Sequence, residues 1–418
     1  MTRRRPSGTH MDKKSVAFAL PMGLTLGGSN IWSLQMAEAL RDSGHAPALL
    51  QHPPIAKGRL FALEAPAGVR CIPCPWVYGS RLGRDALRSL AQSYAEVLPA
   101  VFIPNITTAA YAACAQLAVR HAEGMRIIGI AHGQGELHLQ WLKYYEPVIH
   151  RFIAVSDEVA ELLQESIPHR TGDIFTKACA VDIPPDSNRS YSAAGQPLQI
   201  VYAGRITNHE KRVHLLIPLA EALVKRGVDF RLRIIGDGGF RWGLNKAVRE
   251  LPPEVQKHIA VEGPCPPKEM AAVWAVADVC VLVSDREGTA VSMLEAMAHG
   301  CVPVVTRVSG TAAVVEHGVN GFVSDIDDLE AMTDHIVKLA DDRSLLATCG
   351  RRGHEKIAAG YALADYRSWF LDLIQAAWDD KPRAWDASRP VVMSGRPSPR
   401  PGVWSALGRV FARREAPA

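Results

Sequence analysis

Residues 277–306, "ADVCVLVSDREGTAVSMLEAMAHGCVPVVT", contain two short apolar runs on either side of an alanine-rich segment. The runs "VCVLVS" and "CVPVVT" are rich in β-branched residues, which is typical of buried strands. The segment between them stops at Gly300 and is predicted to be a crossover helix that joins two parallel strands. Ligands of open parallel sheets bind outside the carboxyl ends of the strands. Glu287 lies in such a loop, and Glu295 lies in the early part of the helix, so both acids are candidate ligand-binding residues.

Glu295 also fits a purely structural interpretation. Ser292 and Glu295 have the spacing of a capping box, in which Ser292 is the N-cap and Glu295 reaches back to its amide. The helix would then have about seven residues before Gly300, fewer than the usual 8 to 20. That interpretation also leaves Glu287 without a role, so we favour a pair of ligand-binding acids.

The same alternation of strand and helix continues along most of the 418 residues. "SVAFALP", "AVFIPN", "RIIGIAHG" and "HRFIAVS" are predicted strands of a first half, and "LQIVYAGR", "FRLRIIGDGG" and "HIAVEGP" belong to a second half. The stretch "PPDSNRSYSAAGQP" between the halves has the composition of a linker. This pattern predicts an α/β protein with two Rossmann-like, doubly wound domains that face a central cleft.

Five segments follow from this pattern. "YALADYRSWFLDLIQAAW" has apolar residues at helical spacing and predicts an amphipathic helix with an aromatic face. Residues 379–402 are rich in Pro, Arg and Ser and are expected to be disordered, whereas 402–416, "GVWSALGRVFARREA", predicts an amphipathic helix. The segments are a basic N-terminal extension at 1–13, Rossmann-like domains at 14–190 and 191–360, a crossover helix at 361–378 and a basic tail at 379–418.

Composition and charge limit the classes of function. Hydrophobic residues make up 48% and charged residues 22%, as in soluble globular proteins, and no apolar run reaches the roughly 18 residues that span a bilayer. No secretory signal is recognised, so a cytoplasmic protein with reduced cysteines is expected. Residues 381–418 carry eight Lys or Arg against two acids, whereas the body is net acidic. This distribution argues against nucleic-acid binding. It favours attachment of the tail to an anionic membrane surface, and the alternatives are a helix docked on the body or a disordered end.

Three residues after the strand "LQIVYA" suit a diphosphate. Gly204 lets the backbone approach a ligand, Arg205 offers a fork of donors, and Lys211 offers a point charge. Gly27 and Gly28 occupy the corresponding place in the first half, just before a predicted helix whose N-terminus favours anions. The alternative is that Arg205 and Lys211, or the two glycines, belong to a solvated surface patch that binds no ligand.

Other motifs are weaker. His132 follows the buried strand "RIIGIA", and it is either a functional residue or a hydrogen-bonded structural histidine. "IIGDGG" resembles a dinucleotide fingerprint, but Arg241 stands where the third glycine is required. The acids of "DID" at 325–327 are better explained by helix capping than by metal binding.

In combination these motifs resemble the retaining glycosyltransferases of family 4, which have the GT-B fold. The resemblance covers about residues 14–378 and is carried by "GGSN", "HG", "FIAVSDEVAELL", "VDIP", "YAGRITNHEK", "IIGDGG", "EGTAVSMLEAMAHG" and "GVNGFV". It implies that Glu287 binds hydroxyls of the donor sugar and that Glu295 binds the ribose. It further implies that Arg205 and Lys211 bind the diphosphate and that His132 lies near the sugar.

The resemblance extends the predicted binding site and also limits it. Family members commonly have a bulky apolar residue and then Gly or Pro after Glu-Gly, whereas Thr289 and Ala290 follow Gly288 in this chain. The backbone amides of this loop can still face a sugar, but the identity of the donor is left open. The expected substrate-binding residues are Gly27, Gly28, Gly204, Gly236, Pro264, Gly288, Thr289, Ala290 and Glu295.

The activity that the resemblance implies is transfer of a hexosyl unit from a nucleoside diphosphate sugar to a hydroxyl acceptor, with retention. Residues 14–190 would form the acceptor domain and 191–360 the nucleotide-sugar domain. The acceptor is expected to be an oligosaccharide or a lipid-linked molecule in cell-surface glycan or glycolipid synthesis, and no cofactor or metal is expected. Two alternatives stay open, namely a nucleotide-sugar epimerase on the same fold and a non-catalytic nucleotide-sugar-binding protein.

Overall fold

The computed structural model describes residues 15–53, 61–75, 83–185 and 189–393. The predicted extension at 1–13 and the predicted helix at 402–416 lie outside these ranges. Within them the first domain contains strands β1 (Ser15–Leu20), β2 (Ala46–Gln51), β3 (Arg70–Pro73), β4 (Ala100–Ile103), β5 (Met125–Ala131), β6 (Arg151–Ala154) and β7 (Ile174–Thr176). Its helices are α1 (Gly28–Asp42), α2 (Arg84–Ala95), α3 (Thr108–His121), α4 (Glu136–Tyr145) and α5 (Asp157–Ser166).

The second domain follows the same plan. Its strands are β8 (Leu198–Ala203), β9 (Phe230–Ile235), β10 (Ile259–Val261), β11 (Val279–Leu282), β12 (Val302–Thr306) and β13 (Phe322–Ser324). Its helices are α6 (Leu216–Lys225), α7 (Arg241–Arg249), α8 (Pro253–Gln256), α9 (Pro267–Val276), α10 (Val291–Ala298), α11 (Ser309–Ala312), α12 (Leu329–Asp341) and α13 (Arg343–Gly360), and α14 (Leu363–Asp379) follows. None of the helices in the described ranges has the length and apolar character needed to cross a bilayer.

Each domain has one parallel sheet whose strand order reverses in the middle. The first sheet has the order β3-β2-β1-β4-β5-β6-β7 and the second has the order β10-β9-β8-β11-β12-β13. The order therefore reverses between β1 and β4 and between β8 and β11, and ligands of doubly wound sheets bind at such switch points. The predicted α/β class with two Rossmann-like domains is confirmed.

The stretch at 277–306 forms the predicted strand, helix and strand. All residues of β11 and β12 are buried, as expected of parallel strands covered on both faces. Helix α10 between them buries Met293, Leu294 and Met297 against the second core. Gly300 has a φ of 75°, a left-handed conformation that favours glycine and commonly ends a helix.

Helix α14 returns to the first domain although it follows the second in sequence. Tyr366 and Phe370 belong to the core of the first domain. The indole Nε1 of Trp32 donates a hydrogen bond to the hydroxyl of Tyr366 at 3.1 Å, and the Phe370 ring lies 6.2 Å from that of Phe18. The end of the chain is thereby fixed beside β1 and α1.

The expectation of disorder is wrong for residues 380–393, which pack on the first domain. Asp380 pairs with Arg151 at 2.8 Å, and the side chain of Trp385 is only 3% exposed. The Arg389 guanidinium stacks on the rings of Trp385 and Tyr144 at 4.7 and 4.5 Å. The Pro- and Arg-rich composition indicated disorder, but a buried tryptophan with one cation–π partner and the Asp380–Arg151 ion pair hold the segment on the first domain.

We expect Trp385→Ala to lower the free energy of unfolding by about 3–5 kcal/mol, because it empties a buried aromatic site. Trp242 is the matched control, since its side chain is 73% exposed. Urea unfolding of both variants measures the difference. Equal stabilities of Trp385→Ala and Trp242→Ala would show that the segment 380–393 does not contribute to the first core.

Candidate active site

Glu287 and Lys211 form an ion pair at the switch point of the second sheet. The Lys211 Nζ donates to both carboxylate oxygens of Glu287 at 2.6 and 2.7 Å, and the Ser284 hydroxyl donates to Oε1 at 2.7 Å. The Glu287 side chain is 7% exposed and that of Lys211 is 18% exposed. The sequence predicts different ligands for these two residues, and the structure places them in direct contact.

Arg205 does not join this pair. Its guanidinium contacts the Glu210 carboxylate at 2.8 Å, and its side chain is 62% exposed. Glu210 is a residue that the sequence analysis did not single out, and its backbone oxygen also accepts from the amide of Asp285 at 3.0 Å. The loops after β8 and β11 are therefore joined by a backbone hydrogen bond, while the two predicted phosphate-binding cations point to different partners.

Helix α10 excludes the capping-box interpretation of Glu295. The helix begins at Val291 with Ala290 as its N-cap, and the N-cap position has no side-chain hydrogen bond. Ser292 lies within the first turn, one turn before Glu295, and cannot be the N-cap. The Glu295 carboxylate instead accepts a hydrogen bond from the indole Nε1 of Trp274 at 3.4 Å.

Burial raises the pKa of the Glu295 carboxyl to about 7, although the Trp274 hydrogen bond acts in the opposite direction. Between the ordinary carboxyl pKa and about pH 7, the folded state keeps a proton that the unfolded state releases. The contribution of Glu295 to stability therefore falls as pH rises through this range, by about 3 kcal/mol at most.

We expect Glu295→Gln to be more stable than the parent protein above pH 7 and equally stable near pH 4.5. Glutamine mimics the protonated acid and does not ionise, so the cost of the buried charge disappears. Urea unfolding at a series of pH values measures this, with the exposed Glu355→Gln as the control. A constant difference between Glu295→Gln and the parent protein at every pH would contradict this expectation.

The loop after Glu287 packs against the first domain. A Cβ atom on Gly288 would lie 2.1 Å from the backbone oxygen of His132, so the close approach requires glycine. The Thr289 hydroxyl donates to the backbone oxygen of Val155 at 2.9 Å and is therefore engaged by the protein. The backbone amides at this helix N-terminus carry no side-chain cap and suit an anion.

Three further predicted residues meet at the carboxyl ends of β8, β9 and β10. Gly236 has a φ of 145°, and a Cβ atom there would lie 1.9 Å from the backbone oxygen of Gly204. The Gly236 amide donates to the backbone oxygen of Gly263 at 3.2 Å, next to Pro264. The loops after β8 and β9 cross so closely that position 236 must be glycine. The conformation of these loops at the carboxyl ends of the strands therefore depends on Gly236.

Gly27 and Gly28 lie at the start of α1. Gly27 is the N-cap and supplies no side-chain hydrogen bond. A Cβ atom at either glycine would meet nothing within 4 Å. The start of α1 is therefore uncrowded and has no side-chain cap, and helix N-termini of this kind favour anions.

His132 follows β5 and is held by a residue that the sequence analysis missed. Its Nε2 lies 3.1 Å from Oδ1 of Asn105, and its ring meets that of Trp32 edge to face at 6.2 Å. Burial, together with the smaller effect of the adjacent His138, lowers the pKa of His132 to about 3, so the imidazole is neutral. Asn105 ends the predicted strand "AVFIPN". Its position at the carboxyl end of a strand is the feature of the sequence that could have identified it as a site residue.

A cavity of about 580 Å³ lies between the domains, and its lining includes none of Lys211, Glu287 and His132. The Ser156 and Ser309 hydroxyls meet across the domain boundary at 3.0 Å. No group of three or more His, Cys, Asp or Glu side chains in the described ranges could hold a metal ion. The cavity is lined from the first domain by Gln134, Ser156, Asp157 and Glu158, and from the second by Asp285, Arg307, Ser309 and Ile326.

Comparison with known proteins agrees with this architecture. Residues 197–342 match the family model described as "Glycosyl transferases group 1". The chain is 31% identical over 196 residues to the putative colanic acid biosynthesis glycosyltransferase WcaL of Salmonella typhimurium, a match that spans 45% of this chain and 47% of WcaL. It is 24% identical over 352 residues to the phosphatidyl-myo-inositol mannosyltransferase of Mycolicibacterium smegmatis, covering 79% and 86% of the two chains. The chain thus spans about half the length of WcaL and most of the mannosyltransferase.

The fold is also found among solved structures. A crystal structure of a mutant of S. aureus TarM has a TM-score of 0.71 and 12% identity, and the match covers 88% of this chain and 100% of the TarM chain. Two facing Rossmann-like domains with this topology define the GT-B fold, which this protein has. Its second domain matches the group 1 glycosyltransferase model, and the predicted resemblance to glycosyltransferases is confirmed.

Proposed function

We propose that the protein transfers a hexosyl unit from a nucleoside diphosphate sugar to a hydroxyl acceptor with retention of the anomeric configuration. The observation that carries the proposal is the Lys211–Glu287 pair at the switch point of the second sheet, with the His132 backbone directly against Gly288. A cation next to a buried carboxylate at a domain boundary supports binding of a diphosphate and of sugar hydroxyls. The TarM crystal structure, which has the same fold, is described as a complex with UDP.

The residues divide between the sugar and the nucleotide. Glu287 accepts hydrogen bonds from hydroxyls of the donor sugar, Glu295 accepts them from the ribose, and Lys211 interacts with the diphosphate. Arg205 would join Lys211 after its exposed guanidinium leaves Glu210, a contact that costs little to break at the surface.

The reaction breaks the bond between C1 of the sugar and the diphosphate oxygen, and the electron pair goes to the phosphate. The acceptor oxygen forms its bond to C1 on the same face, and its proton passes to the departing phosphate oxygen. Lys211 and the N-terminus of α10 stabilise the negative charge that builds on the leaving group. No metal takes part in this scheme, and unchanged activity in the presence of a chelator is the expected outcome.

Donor identity is tested first by thermal shift with UDP-, GDP- and ADP-sugars, because a bound ligand raises apparent stability by mass action. Turnover is then followed as release of nucleoside diphosphate with a panel of hydroxyl acceptors. Transfer of the sugar supports the proposal. An isomerised donor without transfer would indicate an epimerase, and binding without any turnover would indicate a sensor.

We expect donor affinity to fall below about pH 7, because the ribose hydroxyls bind the ionised form of Glu295. A nucleoside diphosphate sugar is a good probe, since both of its phosphates are esterified and lack a second ionisation in this range. Calorimetric titration between pH 5.5 and about 8 measures the dependence. The same titration of Glu295→Gln should be flat, and an equal pH dependence in both proteins would remove Glu295 from the ribose site.

The proposed setting is cell-surface glycan or glycolipid synthesis at the cytoplasmic face of a membrane. The names of WcaL and of the phosphatidyl-myo-inositol mannosyltransferase support a glycan or lipid-linked acceptor. Residues 394–418 contain five arginines and one acid. This segment is therefore the one that we propose binds an anionic membrane surface. Deleting 394–418, and leaving 380–393 in place, should release the protein from anionic liposomes without loss of transfer to a soluble acceptor. Equal liposome binding with and without the segment would rule out this role.

A further inference from the structure

Asn105 is a buried asparagine at the carboxyl end of β4, in the switch point of the first sheet. Its φ is 52°, which is uncommon for a residue other than glycine, and its side chain is fully buried. Its side-chain nitrogen donates to the backbone oxygen of Ala19 at 2.7 Å and to the Ser33 hydroxyl at 3.1 Å. This side chain thus connects β1, α1 and β4.

The partners of Asn105 fix the direction of its amide. The Ala19 carbonyl can only accept a hydrogen bond. The Ser33 hydroxyl donates its own hydrogen to the backbone oxygen of Ser29 at 2.8 Å, so it accepts from Asn105. Both partners require the NH₂ group, and Oδ1 must therefore be the atom that faces His132.

The direction of the amide in turn fixes the imidazole. Because Oδ1 of Asn105 is an acceptor, the Nε2 atom of His132 must carry a hydrogen and donate it. The neutral ring then has its lone pair on Nδ1, for which the described residues offer no hydrogen-bond partner. His138 is fixed in the same way, since its Nε2 donates to the backbone oxygen of Asn105 at 3.2 Å.

We propose that Asn105 is a positioning residue that holds His132 as the neutral Nε2–H tautomer, so that Nδ1 accepts a hydrogen bond from a hydroxyl group of the bound sugar. The inference rests on the proposed function for the identity of the ligand. It assigns His132 the role of an acceptor that orients a hydroxyl, and it excludes His132 as a donor of a proton to the leaving group. The tautomer itself follows from the protein contacts alone.

The test uses the full chain with ¹⁵N-labelled histidine, and His132→Gln identifies the His132 signals. We expect the nitrogen shifts of His132 to show a hydrogen on Nε2 and a lone pair on Nδ1, unchanged from pH 5.5 to about 8. Asn105→Gly tolerates the positive φ and removes the amide. In that variant the tautomers should mix, and kcat/KM for transfer should fall by about tenfold, the effect of one good hydrogen bond.

Asn105→Asp is the second variant, and it keeps the shape of the side chain. A carboxylate next to Nε2 favours the imidazolium, so the pKa of His132 should rise and the nitrogen shifts should become pH-dependent. A hydrogen on Nδ1 in the parent protein, or a tautomer that is the same in all three proteins, would overturn the inference. Because these spectra need no substrate, the correct tautomer without any transfer would reject the proposed function alone.

Discussion

Glu287→Gln is expected to lower kcat for sugar transfer by about 100-fold or more while the affinity for the free nucleoside diphosphate changes little. The carboxylate has two roles, since it accepts from Lys211 and from Ser284 and is expected to accept from the donor sugar. Glutamine keeps the shape but loses the charge and one acceptor, and contacts that strengthen in the transition state affect kcat most. Steady-state kinetics and nucleotide titration give the two values.

Measuring the free energy of unfolding distinguishes a loss of catalysis in Glu287→Gln from a loss of folded protein. Glu287→Gln leaves the Lys211 ammonium, whose side chain is 18% exposed, without its anionic partner, so the free energy of unfolding should fall by about 1–3 kcal/mol. Adding Lys211→Met removes the unpaired charge and should restore stability but not activity. A double variant that regains transfer would show that Glu287 only neutralises the charge of Lys211 and that neither side chain is needed for transfer, which would contradict both assigned roles.

Lys211→Met is expected to weaken nucleoside diphosphate binding and to lower kcat/KM by about 100- to 1,000-fold, the range found when a group that stabilises developing negative charge is removed. Lys211 is the one predicted phosphate-binding cation that the structure places beside Glu287, so both ground-state binding and the departure of the diphosphate should depend on it. Lys211→Arg keeps the charge and should retain part of the activity.

Arg205→Met is the matched comparison, because Arg205 follows the same strand but is exposed and paired with Glu210. A much smaller loss than in Lys211→Met would mean that Arg205 stays with Glu210 throughout the reaction. An equal loss would mean that its guanidinium moves to the diphosphate when the donor binds. Full activity of Lys211→Glu would show that the phosphate site is assigned to the wrong residues.

The sequence was sufficient for the fold because parallel strands have a strong local signature. β11 and β12 are short, β-branched and buried on both faces, and the glycine that ends α10 is visible between them. The same signature places Glu287 and His132 at strand ends, where open sheets bind ligands. Periodicity therefore located the candidate residues along the chain.

The partners of those residues depend on contacts that periodicity does not describe. Lys211 and Glu287 are 76 positions apart, and their ion pair follows from how two loops turn after β8 and β11. Asn105 and His132 are joined in the same way across β4 and β5. Trp385 was hidden in a segment whose average composition indicates disorder. Each of these contacts depends on one or two individual side chains. Composition and spacing describe the average of many residues and therefore do not predict them.

The stereochemistry of transfer is the most direct test of the central claim. The donor is the α-configured nucleoside diphosphate sugar that gives the largest thermal shift, and the acceptor is the hydroxyl compound that releases most nucleoside diphosphate. The coupling constant of the anomeric proton in the first product formed reports the new bond. The account predicts an α-linked product that is absent with Glu287→Gln. A β-linked product would contradict retention, and an isomerised donor without a new glycosidic bond would contradict transfer itself.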